Sequence, residues 1–387
     1  MHYTKPHIDE YLQYYFHNKE LDEIYISSAL KEFAQSIAGI FVPIYFLTIG
    51  LSLPQIAIYY LIHYVIVAVL YPIGTILNSK IGMKKMMALG IFSSIGFFVV
   101  LEYMPEFWSY LVSASLWGMS TAFYFSARQI EFSKVVDRGR EGAEFSVFRI
   151  ITIFSGAVGP ILGAFIITGF SFSVLLWVVS GLLLLAPLPL FWTPDIKSAP
   201  PKLSIKDIKK AGKPLDVFAY QVESIVSFSL AILWPIFIYQ TLGEVLSLGI
   251  IVSLTSAMII VLNIYLGRLS DIRPKALLRF GAISHSLTWV SRMFFLTPVG
   301  VFVSNLLSSA TYSATIIPFV SMVFVGAEKA KNVANYFIFR ELSLFSGRLI
   351  ILAILFFVPD LRVVFYGVAV VSLFFVLFTR SRGGKTI

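Results

Sequence analysis

Apolar runs of about twenty residues follow one another along this chain almost without a polar interval, and each is long enough to cross roughly 30 Å of hydrocarbon as a helix. Lipid offers a backbone no hydrogen-bonding partner, so such runs close their bonds internally as membrane-spanning helices. Bounded by charges, Pro and Gly, they fall near 22–49, 54–77, 86–102, 107–127, 143–169, 171–192, 215–240, 244–267, 276–297, 298–325, 332–357 and 360–379, which makes twelve spans. Of 387 residues 58% are apolar and 13% charged, which leaves little chain for a soluble domain.

The formal net charge is +9, and the placement of the charges decides its meaning. With both termini cytoplasmic, 24 of the 30 Lys and Arg residues lie in the segments on that side, six of them between Lys197 and Lys213. The connections on the other side carry Arg362 alone. That asymmetry orients the chain by the positive-inside rule and sets basic loops against anionic headgroups, so the expected partner is the bilayer and not nucleic acid. The longest polar interval, Thr193 to Lys213, divides the chain into bundles at 1–192 and 214–387 joined by a cytoplasmic linker at 193–213. The first twenty residues hold no short apolar run with a small-residue cleavage site, so no removable leader is expected. There is no cysteine, hence neither disulfides nor thiolate metal ligands, and no metal or cofactor is expected.

Corresponding segments recur at one offset. Phe148-Arg149-Ile-Ile-Thr-Ile-Phe154-Ser155-Gly156 matches Phe339-Arg340-Glu-Leu-Ser-Leu-Phe345-Ser346-Gly347 with five identities at an offset of 191. The loop Leu77 to Lys85 after the second span matches Leu269 to Lys275 after the eighth at an offset of 192. Both pairs fall on equivalent helices of a six-plus-six arrangement.

Gly267-Arg268-Leu269-Ser270-Asp271, followed by Arg273 and Lys275, resembles the second copy of the loop motif of the major facilitator superfamily. In the first copy Lys80, Gly82 and Lys84 remain, but Thr75 takes the glycine place, Gly74 comes one residue early, and Ser79 stands where the aspartate would be. Gly159-Pro160-Ile161-Leu162-Gly163-Ala164 is similar to the Gly-Pro signature of the antiporter branch. Small residues there let helices approach closely. The resemblance implies an all-α membrane protein with twelve transmembrane helices in two pseudo-symmetric six-helix bundles. It also implies that the loop motif latches helix ends against the neighbouring half, and that spans one, four, seven and ten surround a central cavity. Candidates there are Gln35, Trp117, Tyr124, Trp234, Asn305 and Tyr312, each equally able to serve in packing.

Ionisable groups inside a span are costly and face a partner or a wet cavity. Lys31, Glu32, Arg149, Glu223, Arg340 and Glu341 stand near the cytoplasmic edge, where they can snorkel or form a charge gate; Glu32 and Glu223 are candidate proton-coupling acids. Arg348 lies deep in its span on the helix face of Glu341, seven residues away, and reads as either an anion-recognising residue or a structural interhelical pair. His63 stands mid-span as a titratable cavity candidate or a structural histidine, and Arg292 is expected to reach the headgroups from the outer end of its span.

No nucleotide-binding loop occurs, so an ion gradient is the expected energy source. The first reading is a secondary active transporter working by alternating access, a proton-coupled antiporter exporting small amphipathic molecules. The second is symport or facilitated uptake of a nutrient or organic anion, and the third a non-transporting receptor or accessory protein on the same fold. Without cysteine, clustered histidines or a soluble catalytic domain, an enzyme site would have to be assembled from scattered carboxylates whose spacing suggests none, so no enzyme is expected. The expected setting is a bacterial or archaeal cytoplasmic membrane, with the chain acting as a monomer.

Overall fold

The computed structural model describes residues 19–104, 106–135, 141–195, 197, 204–328 and 330–381; the side chains of 132–135, 141–153, 205, 324, 328 and 379–381 lie outside that description. The chain folds as α1 (Lys19–Thr48), α2 (Leu53–Lys80), α3 (Met83–Leu101), α4 (Phe107–Val135), α5 (Glu141–Gly169) and α6 (Phe172–Phe191). The second half holds α7 (Pro214–Leu242), α8 (Val245–Ile272), α9 (Pro274–Ser291), α10 (Pro298–Glu328), α11 (Val333–Phe357) and α12 (Leu361–Phe378). Among the described residues eight of these are long and apolar enough to span a membrane unaided: α1, α2, α3, α6, α7, α8, α10 and α12. Ser, Tyr and Trp dilute α4, charges dilute α9 and α11, and α5 is apolar over Phe154–Gly169.

Each half is a ring of helices with the same neighbours. Around the first, α2 packs on α4, α4 on α3, α3 on α6, α6 on α1 and α1 on α5. Around the second the order is α8, α10, α9, α12, α7, α11, each helix six places on from its counterpart. The halves meet through α5 against α8 and α2 against α11, contacts that a two-fold axis exchanges, and the far ends of α1 and α7 also touch. The outward face of α8 (Leu254, Met258, Val261, Ile264, Tyr265) is exposed along its length, as a lipid-facing stripe must be.

Local sequence explains the joints. Ser52 opens α2 with its N–H donating to the Gln55 side chain at 2.8 Å and Pro54 in the first turn, where the missing donor costs nothing. Gly243 closes α7 in the left-handed conformation, φ +73°. The α7 helix widens into a π turn over Ser229–Leu233, immediately before Trp234 and Pro235.

Close approach depends on glycine at the crossings. A Cβ at Gly163 of α5 would lie 2.0 Å from the Ile37 carbonyl oxygen of α1, and one at Gly249 of α8 would lie 2.8 Å from that of Pro160. Pro160 interrupts the α5 bonding pattern, and the next N–H, Ile161, donates to Ser253 Oγ of α8 at 2.9 Å. The Gly159–Pro160–Gly163 segment therefore wedges α5 between α1 of its own half and α8 of the other. Overpacking a tight crossing costs about 1–3 kcal/mol or more. Gly163→Leu is expected to lower the melting temperature in detergent sharply, whereas Gly156→Ala, whose Cβ would rest 3.7 Å from Ser256 Oγ, is expected to match wild type or exceed it.

Candidate functional site

α11 brings the deepest charges into the seam between the halves. Seven residues is close to two helical turns, so Arg348 and Glu341 share a face, and Arg348 Nη1 donates to Glu341 Oε1 at 2.6 Å. One residue before Glu341, Arg340 Nη2 donates to Glu223 Oε1 of α7 at 2.6 Å. These four side chains are only 11–18% exposed, which suits a narrow polar groove in the protein interior. The Arg348 guanidinium also lies 4.4 Å from the ring centre of Tyr64, on α2 of the other half.

Tyr64 opens an aromatic wall. Its ring meets His63 at 4.6 Å, His63 meets Trp117 of α4 at 4.4 Å, and Trp117 stacks on Phe97 of α3 at 4.9 Å. Tyr60 joins Trp117 at 5.5 Å, and Phe228 of α7 closes on Tyr60 at 5.4 Å from the opposite half. Gly118 makes the wall possible, since a Cβ there would sit 2.7 Å from the His63 carbonyl oxygen. The Tyr60 hydroxyl and His63 Nδ1 are buried without a hydrogen-bond partner.

A second cluster lies on α1 and α4. Glu32 pairs with Arg128 at 3.6 Å, Arg128 lies 4.7 Å from the Phe125 ring, and Lys31 lies 4.2 Å from the Tyr124 ring. Lys31 donates to Gln35 Oε1 at 2.6 Å, and Gln35 donates onward to Ser94 Oγ at 2.9 Å. Ser28 and Tyr124 share a hydrogen bond of 2.9 Å. Lys31 does not snorkel as its position suggests: it is buried, held by an amide and an aromatic face.

The remaining candidates stand apart. Trp234 Nε1 donates to Asn305 Oδ1 at 2.8 Å, and Asn305 Nδ2 donates to Thr255 Oγ1 at 3.0 Å, within the second bundle. Tyr312 packs on His285 at 5.4 Å. The expectation that Arg292 reaches the headgroups is overturned: Arg292 is fully buried, because Trp234 and Trp289 cover both faces of its guanidinium. The Arg149 side chain lies outside the described residues. A depression of about 440 Å³, lined in part by Phe237, Gln240, Asp360 and Arg362, contains none of the candidate residues.

The two motif loops differ in a way opposite to their sequences. In the first copy Gly82 (φ +111°) begins α3, and Asp195, from the segment after α6, accepts from Lys84 N at 3.0 Å and Lys85 N at 3.1 Å. An acid at a helix N-terminus meets both free N–H groups and the positive end of the dipole. Lys84 is buried on Glu23 and Thr193. Asp195 thus supplies the carboxylate that Ser79 does not, while Lys80 is exposed. In the second copy Asp271 and Arg273 are exposed and Gly267 faces open space.

Three contributors are illegible in the linear chain. Arg128 counts there as a loop cation although it pairs with Glu32 in the cluster on α1 and α4; Tyr64 is masked by its neighbour His63; and Asp195 reads as linker. The surplus of buried carboxylate near Lys84, including Glu131 with neither oxygen bonded, carries no sequence signal beyond an acid at a span end.

The family model described as Major Facilitator Superfamily matches residues 24–222, half of the chain. Solved structures agree over nearly the whole length. A POT family transporter in complex with 5-aminolevulinic acid superimposes with a TM-score of 0.72 at 11% identity, covering 94% of this chain and 96% of that one. A peptide transporter POT in complex with sulfate gives 0.72 at 13% identity, covering 94% of each. The human organic anion transporter MFSD10 gives 0.64 at 12% identity, covering 93% of this chain and 99% of that one. No curated protein is significantly similar in sequence. The chain belongs to the Major Facilitator Superfamily, a family of membrane transporters and not of enzymes.

Breaking a buried ion pair by removing one partner costs about 3–5 kcal/mol, because the other charge is stranded. Arg340→Gln is therefore expected to destabilise the protein strongly, and Glu223→Gln combined with Arg340→Gln to recover most of the loss. A double-mutant cycle by thermal unfolding measures the coupling.

Proposed function

We propose that this protein is a secondary transporter that carries a small amphipathic solute bearing an acidic group by alternating access, together with protons and in the direction of uptake. The observation that carries the reading is the Arg348 guanidinium, held between Glu341 of its own helix and Tyr64 of the opposite half. An acidic group on the solute competes with Glu341 for the planar donor fork of Arg348. A proton on Glu341 releases the arginine, and the loss of that proton draws it back into the pair. Proton and acidic solute then load the groove together, which is the requirement for symport. Glu223 and Arg340 form the second such pair, and Tyr60, Tyr64, Trp117 and Phe228 offer an apolar seat for the solute body. Gln35, Tyr124, Glu32 and Arg128 face the same seam from α1 and α4.

The bundles 1–192 and 214–387 act as the two moving bodies, joined by 193–213. The Lys-rich linker, both termini and the motif loops lie in the cytoplasm of a bacterial or archaeal cell, and the protein works as a monomer. A second reading, proton-coupled export, is favoured by the Gly159–Pro160–Gly163 wedge, which resembles the antiporter signature and stands at the contact between halves. The direction of proton movement relative to the solute separates the two.

The test is substrate-driven proton flux in proteoliposomes carrying a trapped pH-sensitive dye, challenged with a panel of aromatic carboxylates. Wild type is expected to move protons in the same direction as the solute, and Arg348→Ala to lose at least about tenfold of the flux, as Arg348→Lys does without the planar fork. Equilibration independent of the pH gradient refutes coupling, and undiminished flux in Arg348→Ala refutes the assigned site.

A further inference from the structure

Arg292 follows α9 directly, deep in the second bundle and apart from the seam between the halves. Its guanidinium is fully buried, with Trp234 at 4.0 Å and Trp289 at 4.2 Å over its faces. Stacking satisfies only the faces. In the plane, Nε, Nη1 and Nη2 have no hydrogen-bond partner, and among the described residues no carboxylate pairs with them. The attraction of two rings is small beside the cost of taking a cation out of water, so the donor edge calls for an acceptor.

The neighbouring imidazole and amide offer none, and a serine hydroxyl offers only a neutral lone pair. Trp289 Nε1 donates to His285 Nε2 at 3.0 Å, so that nitrogen bears no proton; Nδ1 then carries it and donates to Thr311 Oγ1 at 3.2 Å. His285 is accordingly neutral, with both nitrogens in use. The Asn305 amide is likewise spent on Trp234 and Thr255. Two hydroxyls of α10, Ser304 and Ser308, are fully buried without a hydrogen-bond partner. α9 and α10 run antiparallel with Gly281 against Thr315 and His285 against Thr311, and the same register continued two turns sets Ser304 level with Arg292.

The cluster therefore holds a full set of guanidinium donors and two rotatable O–H donors, no anionic group, and two indoles as walls. We propose that Arg292, with Ser304 and Ser308, forms an enclosed site for a small inorganic monovalent anion, of which chloride is the natural occupant. A site whose one charge is a guanidinium rejects cations, and the two indole walls, themselves at most 3% exposed, leave no way in for an organic solute. The anion neutralises the bundle from within and fixes Trp234, which follows the π turn of α7.

The purified protein is titrated with sodium chloride or bromide against a gluconate background of constant ionic strength, with thermal unfolding as the readout. Wild type is expected to show a saturable rise in melting temperature, as for any ligand bound by the folded state. Arg292→Met, an apolar chain of similar reach, is expected to fold and to lose the response. Ser304→Ala combined with Ser308→Ala, which keeps the cation, is expected to weaken the apparent halide affinity about tenfold through two lost hydrogen bonds. An equal halide response in wild type and both variants, or none in wild type, overturns the proposal. So does a response to acetate without one to halide, which assigns the site to a carboxylate-bearing ligand.

Discussion

A charge set in the middle of a lipid-spanning helix must be matched from within the protein, and the Arg348–Glu341 pair is where that requirement governs the architecture. Arg348 lies about 22 Å along α11 from its first residue at the usual helical rise, too deep to extend its head to water cheaply. Its partner two turns back keeps the pair neutral on one helix face, and the aromatic face of Tyr64 makes the neighbouring half part of the same arrangement. From that pair the rest of the seam follows: the aromatic wall on α2 and α4, the second pair on α7, and the glycines that bring the helices near enough for side chains to meet.

The two bundles repeat one neighbour order, yet they use it differently. In the first, charges collect on α1 and α4 and at the α2–α3 loop, where Asp195 from the segment after α6 caps α3 and Lys84 is buried on Glu23. In the second, the equivalent loop is exposed, while polar groups collect between α9 and α10 and at Trp234 and Asn305. Duplication set the scaffold, and the chemistry has diverged on it. The unequal loops mean that the two halves are fastened with different strengths at the motif-loop end.

Most of the architecture is legible in the chain because the bilayer enforces it: span length, helical bonding and the six-plus-six repeat are one-dimensional properties of the sequence. Charged members of the site are legible for the same reason, since Arg348 on an apolar helix announces a cost that something must offset, and its spacing from Glu341 names the partner. Aromatic members are harder. Trp117 and Trp234 are equally plausible beforehand, but only the fold shows one in the wall beside His63 and the other hydrogen-bonded to Asn305 far from the pairs. Arg292 misled for a physical reason: nearness to a helix end suggests access to water, and nothing in the sequence shows that two indoles from α7 and α9 cover it. Arg128 and Asp195 escaped because a charge at a span boundary looks like loop until the neighbouring helix is in place.

Alternating access is the motion on which the proposed transport rests, and the absence of cysteine makes it directly measurable, since introduced thiols are the only ones. Spin labels at Thr48→Cys and Gln240→Cys report the α1–α7 contact, and labels at Lys80→Cys and Asp271→Cys report the motif-loop end. All four positions are exposed. Double electron–electron resonance in lipid nanodiscs across a pH range is predicted to show one distance lengthening as the other shortens. Two distances that stay fixed, or that change in the same sense, would contradict rocking of the halves about the Arg348 seam.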